Sequence, residues 1–169
     1  MNRIFLFFFI ILLYSFSMDV HAKTKLLKSS GDWHAYVTIE GGKKVYYASS
    51  FPKKEEGHYT KRGDVYFLIT HRPDKNSFFV VSVTVGYPFK KDSKVTLIVD
   101  GKKFFLLTDG ETAWAEDKFL DKKISEAIAK GTNMIVKGLS SRGTKTIDTY
   151  SLKGATVALR TINLPCGLL

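Results

Sequence analysis

The sequence is poor in cysteine and proline. Of its 169 residues, 1 is cysteine and 4 are proline. A single cysteine, Cys166, excludes an intramolecular disulfide, so this residue is either a free thiol or a link to another molecule. Exported domains of this size often carry disulfides. This chain therefore has to be stabilised by packing alone.

Acidic residues are also few in comparison with basic residues, and this imbalance limits the classes of molecule that the protein is predicted to bind. The chain has 26 Lys and Arg against 16 Asp and Glu, which gives a net charge of +10. The lysines are spread along the chain and do not form the clustered basic patch of a nucleic-acid site, so no nucleic-acid partner is predicted. Two interpretations stay open: a solvated surface, or attraction to acidic lipid headgroups, polysaccharide or another acidic surface.

The first residues predict export. Arg3 precedes an apolar stretch over residues 4–16, and Val20-His21-Ala22 has the small-residue pattern of a cleavage site. The stretch is shorter than the roughly 20 apolar residues that a spanning helix needs. We therefore predict a signal peptide over residues 1–22, cleavage between Ala22 and Lys23, and no transmembrane segment in the processed chain.

The processed chain is predicted to be one β-rich domain over residues 32–169, after a flexible basic lead-in at 23–31. Alternating apolar residues favour strands. They occur at 33–39, 45–49, 64–72, 78–87, 95–99, 104–107, 134–139 and 144–152, with a further short strand at 112–115. In the fourth of these, Phe79, Val81, Val83 and Val85 are predicted to face the same way. Residues 51–62 are predicted to be an exposed loop, and Pro73 to begin a turn.

Two helices interrupt the strand pattern. Apolar residues at helical spacing over 117–130, closed by Gly131, predict an amphipathic helix, and residues 155–162 predict a short C-terminal helix. About eight short strands joined by tight turns are typical of an antiparallel β-sandwich or a partly open barrel. The predicted fold class is therefore mainly β, with one inserted amphipathic helix and a short terminal one.

One segment is similar to a phosphate-binding loop. It runs from Gly138 to Thr146 and contains Gly143, but Thr144 stands where that motif needs lysine, and a strand pattern follows where it needs a helix. A hairpin turn is the better interpretation. Arg142 and Lys145 remain a candidate pair for weak binding of an anion.

No catalytic, metal or cofactor site is predicted. His34, His58 and His71 lack metal-ligand spacing and are interpreted as surface or edge residues, while Cys166 lies in a tail that suits catalysis poorly. The alternative is a hydrolase or metal-dependent enzyme of the periplasm, which needs His58, His71 and an acid to meet in one cleft.

Several runs in order resemble one protein family. They are Gly31-Asp-Trp-His-Ala-Tyr36, Lys44-Val-Tyr-Tyr-Ala48, Arg62-Gly-Asp-Val-Tyr-Phe67, Thr70-His-Arg-Pro73, Val85-Gly-Tyr-Pro-Phe89, Val99-Asp-Gly101, Ala113-Trp-Ala115, Val136-Lys-Gly138, Ser141-Arg-Gly-Thr-Lys-Thr146 and Asp148-Thr-Tyr-Ser-Leu152. Together they resemble the invasion-associated locus B family of exported alphaproteobacterial proteins, across essentially the whole processed chain.

The resemblance implies a non-enzymatic β-rich protein of the periplasm, associated with the outer membrane or cell surface. One branch of that family is linked to entry into host cells, so the implied roles are host-cell invasion or envelope function. The implied partners are an anionic envelope or host-cell surface, or another envelope protein. The resemblance brings no cofactor and no catalytic residue.

The chain departs from the resemblance at one position. Relatives typically have cysteine where this chain has Tyr46, and they keep a cysteine near the C-terminus, as Cys166 is here. The resemblance implies that those two cysteines form a disulfide in the relatives. Tyr46 would then have replaced one partner and left Cys166 as an unpaired thiol.

Overall fold

The structure, a computed structural model, describes residues 24–168. The predicted signal peptide and its cleavage between Ala22 and Lys23 lie outside the described residues. The described strands are β1 (Lys25–Ser30), β2 (Trp33–Glu40), β3 (Lys43–Ser50), β4 (Lys54–Gly57), β5 (Tyr66–Arg72), β6 (Ser77–Thr84), β7 (Lys94–Val99), β8 (Lys102–Asp109), β9 (Thr112–Trp114), β10 (Asn133–Leu139) and β11 (Lys145–Ser151). The α-helices are α1 (Lys118–Lys130) and α2 (Ala155–Asn163), and short 3-10 helices cover Pro73–Lys75 and Leu164–Cys166.

All of these strands belong to one antiparallel sheet. Its order is β1-β2-β3-β5-β6-β9-β8-β7-β10-β11-β4, so β1 and β4 form two free edges and the sheet is not closed. The buried apolar side chains of β2, β3 and β5 to β11 form one core on one face of the sheet. A sheet whose strands share one core must curve around it. The predicted mainly β, antiparallel, partly open architecture is confirmed.

Both predicted helices are present and cover this core. Helix α1 begins after Asp117, whose side chain accepts a hydrogen bond from the Leu120 N–H at 2.7 Å, as a helix N-cap does. It buries Ile124 and Ile128 and packs against β6. Helix α2 packs against β1, β2 and β3. Among the residues that the structure describes, no helix has the length and apolarity required to cross a membrane.

Two segments differ from the prediction. Residues 25–30, predicted as part of a flexible lead-in, form β1, and residues 54–57, predicted as part of a loop, form β4. β1 pairs with β2, and β4 pairs with β11. Both are edge strands whose side chains are almost all exposed. They are held by backbone hydrogen bonds and lack the alternating pattern of a strand that buries one face.

A third difference occurs at the start of β6. Val81, Val83 and Val85 are buried on one face as predicted, but Phe79 is only half-buried and has a positive φ of 61°. The register between β5 and β6 shifts here, between Thr70 and Arg72. This irregularity interrupts the two-residue alternation, so Phe79 is not buried with Val81, Val83 and Val85.

Helix α1 carries a buried carboxyl group. Asp121 is 6% exposed, and its Oδ1 accepts a hydrogen bond from the Val81 N–H at 2.8 Å. Burial raises the pKa of Asp121 to about 6; the Val81 N–H opposes this shift and the charge of Asp117 adds to it. Between about pH 4 and pH 6 the carboxyl is protonated in the folded protein and ionised in the unfolded chain. Its contribution to stability therefore declines as the pH rises through that window.

Replacing Asp121 by Asn should remove this pH dependence. We expect the free energy of unfolding of the variant, relative to the natural protein, to improve by about 1–3 kcal/mol between pH 4 and pH 7. Urea unfolding at a series of pH values measures it. Asp109→Asn, which makes the same substitution at an exposed position, is the control. A relative stability of Asp121→Asn that does not change with pH would contradict the assignment.

Candidate ligand-binding cleft

An open cleft of about 1040 Å³ lies at one end of the sheet. Three segments form most of it: residues 57–63 from the end of β4, residues 86–88 after β6, and the turn between β10 and β11; Glu111, between β8 and β9, completes the lining. Its lining consists of Gly57, His58, Tyr59, Thr60, Lys61, Arg62, Gly63, Gly86, Tyr87, Pro88, Glu111, Ser140, Ser141, Arg142, Thr144 and Thr146. The antiparallel pairing of β4 with β11 places Gly57 opposite Thr146, so the first and third segments meet.

The base of the cleft is a buried ion pair. Arg62 Nη1 and Nη2 donate to the two carboxylate oxygens of Asp148, each at 2.6 Å, and the two side chains are 4% and 0% exposed. Arg62 Nε donates to the carbonyl oxygen of Val85 at 2.7 Å, and Nη1 also contacts Glu55 at 3.3 Å. Burial by itself lowers the pKa of Arg62, but the hydrogen bonds and charge of Asp148 raise it above its ordinary value. The guanidinium is thus permanently charged and fully engaged.

Two tyrosines flank the guanidinium of Arg62. Its central carbon lies 5.5 Å from the ring centre of Tyr59 and 5.2 Å from that of Tyr87, within the range of cation–π contacts. The Tyr87 hydroxyl hydrogen-bonds the Thr146 hydroxyl at 2.5 Å, and burial raises the pKa of Tyr87. Tyr59 is exposed and forms part of the wall. The base is therefore rigid, and the aromatic surface above it is open.

A contact between two glycines holds the base in place. The Gly63 N–H donates to the Gly86 carbonyl oxygen at 2.9 Å. Gly86 has a φ of 68°, and a β-carbon added to it would collide with the backbone of Gly63. Because these glycines directly adjoin Arg62 and Tyr87 in the chain, their close approach sets the positions of both side chains.

The mouth of the cleft is cationic and rich in hydroxyl groups. Lys61 and Arg142 are exposed on the lining and form no ion pair among residues 24–168. Glu111 is the acidic residue of the lining. The hydroxyl groups come from Thr60, Ser141 and Thr144. Two free cations, hydroxyls and an open aromatic ring can together bind a polar, negatively charged molecule.

The structure separates the predicted anion-binding pair. The segment at 140–144 is a hairpin turn as expected, closed by the Ser140 N–H to the Thr144 carbonyl at 2.9 Å and followed by a strand. Arg142 lines the cleft, whereas Lys145 is absent from the lining. Lys145 is exposed in β11, and alternation places it on the outer face of the sheet. Anion binding at Arg142 stays a prediction.

The histidines of the alternative enzyme are not brought together. His58 is exposed and lines the cleft. His71 was predicted to be a surface or edge residue and is instead fully buried. Its Nδ1 accepts from the Phe79 N–H and its Nε2 bonds Asn163 Oδ1, both at 2.9 Å. Burial lowers the pKa of His71, opposed by the bond to Asn163. The neutral ring is therefore a structural link to α2.

The remaining predicted residues lie away from the cleft. Cys166 is half-exposed in the second 3-10 helix, and burial raises the pKa of its thiol. Tyr46 is half-buried against the core. His34 is half-exposed on β2, with its Nδ1 2.9 Å from the Ser29 hydroxyl. Within the described part of the chain, no three His, Cys, Asp or Glu side chains are grouped so that they could hold a metal ion.

Sequence reasoning missed the ion pair at the base. Arg62 fell in a segment predicted to be an exposed loop, and its partner is 86 positions away in the chain. One signal was available. Thr146, Asp148 and Tyr150 alternate with exposed or half-buried residues in β11, which puts a carboxylate on the core face. A buried carboxylate requires a cation or several hydrogen-bond donors.

The fold and this geometry can be compared with known proteins. The family model described as Invasion associated locus B (IalB) protein matches residues 38–163. The crystal structure of invasion associated protein B from Bartonella henselae is similar to this fold, with a TM-score of 0.52 and 20% sequence identity. That similarity covers 82% of this chain and 95% of the Bartonella chain. No curated protein sequence matches significantly. Because the family model matches most of the chain, this protein belongs to the invasion associated locus B family.

Proposed function

We propose that this protein is an exported, non-enzymatic binding protein of the cell envelope that holds an acidic oligosaccharide in its cleft. The observation that carries the proposal is the pair of free cations, Lys61 and Arg142, at the mouth of a cleft with a rigid base. Because Arg62 is neutralised by Asp148, it supplies rigidity, and the two exposed residues supply the attraction.

The remaining lining favours a sugar over a small inorganic anion. Its hydroxyl groups can exchange hydrogen bonds with sugar hydroxyls, and the exposed ring of Tyr59 offers a flat apolar surface for a sugar ring. The volume of about 1040 Å³ lies at the upper end of the range for small-molecule sites. A chain of several sugar units with carboxylate, sulfate or phosphate groups fits these features.

A binding role without catalysis agrees with how the polar groups are used. His71 has both ring nitrogens bonded away from the cleft, and the Ser140 hydroxyl accepts a hydrogen bond from the Thr144 N–H at 3.0 Å. Arg62 is bonded to Asp148, the Val85 carbonyl oxygen and Glu55, and both oxygens of Asp148 are bonded to Arg62. These groups are held for structure and are poorly placed to transfer protons to a ligand.

The predicted signal peptide and the family support a proposal for the location. A processed chain starting at Lys23 would act in the periplasm, associated with the outer membrane or cell surface. The Bartonella protein of similar fold is named for invasion. We propose for this chain a related role in envelope function or host-cell contact, through acidic glycans of the envelope or of a host surface.

Calorimetric titration with two acidic probes and one neutral probe tests the proposal. The acidic probes are a sulfated uronate hexasaccharide, typical of host surfaces, and a phosphorylated core oligosaccharide of a bacterial outer membrane. A neutral hexasaccharide is the reference. We expect Arg142→Ala to weaken binding of the preferred acidic probe about tenfold, since hydrogen bonds to charged groups contribute about 1.5–3 kcal/mol.

Lys145→Ala is the matched control. It removes the same charge three residues along the same hairpin but lies outside the lining, so binding should change less than about twofold. The preference between the acidic probes distinguishes a host ligand from an envelope ligand. Equal losses in the two variants would contradict the role of the cleft, as would equal binding of the neutral probe.

A further inference from the structure

The outer face of β8, β7 and β10 combines exposed apolar side chains with lysines. Strand register defines this docking face. Between β8 and β7, Lys103 lies opposite Ile98, Phe105 opposite Thr96, and Leu107 opposite Lys94. Between β7 and β10, Ile98 lies opposite Ile135, and Thr96 opposite Lys137. Trp114 of β9 lies opposite Leu107 and extends the face by one strand. All of these residues alternate with core residues, so they point away from the core.

The apolar members are unusually open to solvent. Phe105 is 56% exposed, Leu107 43% and Trp114 38%. Phe105 and Leu107 are neighbours on β8, and Trp114 lies opposite Leu107 on β9. Ile98 and Ile135 beside them are half-buried. A contiguous exposed group of this kind marks an interaction surface, whereas single exposed apolar residues do not.

Lysines make up most of the charges on the docking face. Lys94, Lys103 and Lys137 are exposed, and none of them forms an ion pair among residues 24–168. Lys145 of β11 continues the row opposite Leu139. The acidic residue Asp109 stands beyond Leu107, at the end of β8.

We propose that this face docks the protein onto an anionic lipid bilayer. Phe, Leu and Trp side chains enter the interfacial region of a bilayer, and lysines around them bind acidic headgroups while their alkyl stems remain in apolar surroundings. The proposal goes beyond the binding of a ligand in the cleft, because it uses different residues on a different surface.

Other occupants fit this face less well. A second copy placed face to face would bring lysines against lysines, which is unfavourable. A peptide usually binds in a groove, but the face is the convex side of a curved sheet. The cleft and a smaller cavity of about 290 Å³ are lined by other residues. A convex apolar surface with a basic rim suits a flat, anionic, deformable layer.

Co-sedimentation of the exported protein with vesicles tests the proposal. The vesicles contain phosphatidylglycerol and phosphatidylethanolamine, with phosphatidylcholine vesicles as the neutral reference. We expect binding to the anionic vesicles with a blue shift of the Trp114 fluorescence, since the other tryptophan, Trp33, is already buried. Phe105→Ser combined with Leu107→Ser, and Lys94→Glu combined with Lys137→Glu, should each weaken binding about tenfold or more.

The controls make the same changes elsewhere on the surface. Lys43→Glu with Lys44→Glu alters net charge equally at the exposed β2–β3 hairpin, and Phe51→Ser removes an exposed phenylalanine (55%) from another part of the surface. These variants should bind like the natural protein, and circular dichroism checks that all variants are folded. Equal losses in controls and face variants would overturn the proposal, as would no vesicle binding or dimerisation through this face without lipid.

Discussion

Replacing Arg62 by Leu is expected to lower the free energy of unfolding by about 3–5 kcal/mol, because it leaves a buried carboxylate without its partner. Asp148 is 0% exposed, and both of its oxygens are bonded to Arg62. Arg62→Lys should recover only part of the loss, since an ammonium group cannot make two parallel hydrogen bonds to one carboxylate. Urea unfolding followed by circular dichroism measures the effect.

Two further variants distinguish the contribution of the buried Arg62–Asp148 pair from that of neighbouring groups. Glu55 contacts Arg62 at 3.3 Å and is 40% exposed, so Glu55→Gln should cost less than about 1 kcal/mol. Removing both charges, with Arg62→Leu and Asp148→Leu together, should cost less than the sum of the single changes, because no buried charge remains unpaired. Additive losses, or a loss in Arg62→Leu as small as that in Glu55→Gln, would mean that the pair is not the base of the cleft.

Replacing Gly86 by Ala is expected to cost about 2–4 kcal/mol, for two reasons that add. A positive φ is unfavourable for alanine by about 1–2 kcal/mol, and the new β-carbon would also push against the Gly63 backbone. The backbone segments at Gly63 and Gly86 must then separate, which displaces the adjoining residues Arg62 and Tyr87. Thermal and urea unfolding measure the loss of stability.

Gly143→Ala is the matched control for this prediction. Gly143 has a φ of 85°, but an added β-carbon meets nothing within 4 Å. Its cost should be limited to the conformational term of about 1–2 kcal/mol. Binding of an acidic oligosaccharide should weaken in Gly86→Ala, because Arg62 and Tyr87 are displaced. Equal destabilisation by the two substitutions would show that the contact between Gly63 and Gly86 is not tight.

The strands and helices that bury one face could be predicted from the sequence. Trp33 and Ala35 on β2, or Ile124 and Ile128 on α1, recur with the period of their element, and the structure buries them. Edge strands lack this signal. Every side chain of Lys54–Gly57 is exposed, so only the pairing with β11 makes that segment a strand, and such pairing depends on the rest of the fold.

The alternation of β5 indicates a buried His71, although it was predicted to be a surface or edge residue. Phe67 and Ile69 are two positions apart in β5 and therefore share a face, and the same period puts His71 on that face too. The structure buries it, with its ring against Phe78 and Phe79 at centroid distances of 5.8 Å and 4.9 Å. A polar residue at the end of a buried row is easily assigned to the following turn. The hydrogen-bond partner of the buried His71 is Asn163, which lies 92 positions away in the chain and gives no local signal.

The candidate site was predictable only in part. Arg142 was proposed for anion binding from its place in a hairpin, and it does line the cleft. Lys145 was paired with it by proximity in sequence, but alternation along β11 sends it to the outer face. Tyr59 and Tyr87 meet at Arg62 through loops whose paths depend on contacts between distant strands. Local spacing contains no information about such contacts.

The most direct test of the central claim is a two-dimensional NMR titration of the isotope-labelled protein, without the predicted signal peptide, with the acidic oligosaccharide. The claim predicts shifts of backbone amide signals in residues 58–63 and 140–144, with those of β7 and β8 unchanged. Shifts centred on β7, β8 and β10 would assign the acidic ligand to the docking face and contradict a binding role for the cleft. Binding without shifts at 58–63 and 140–144 would contradict it equally.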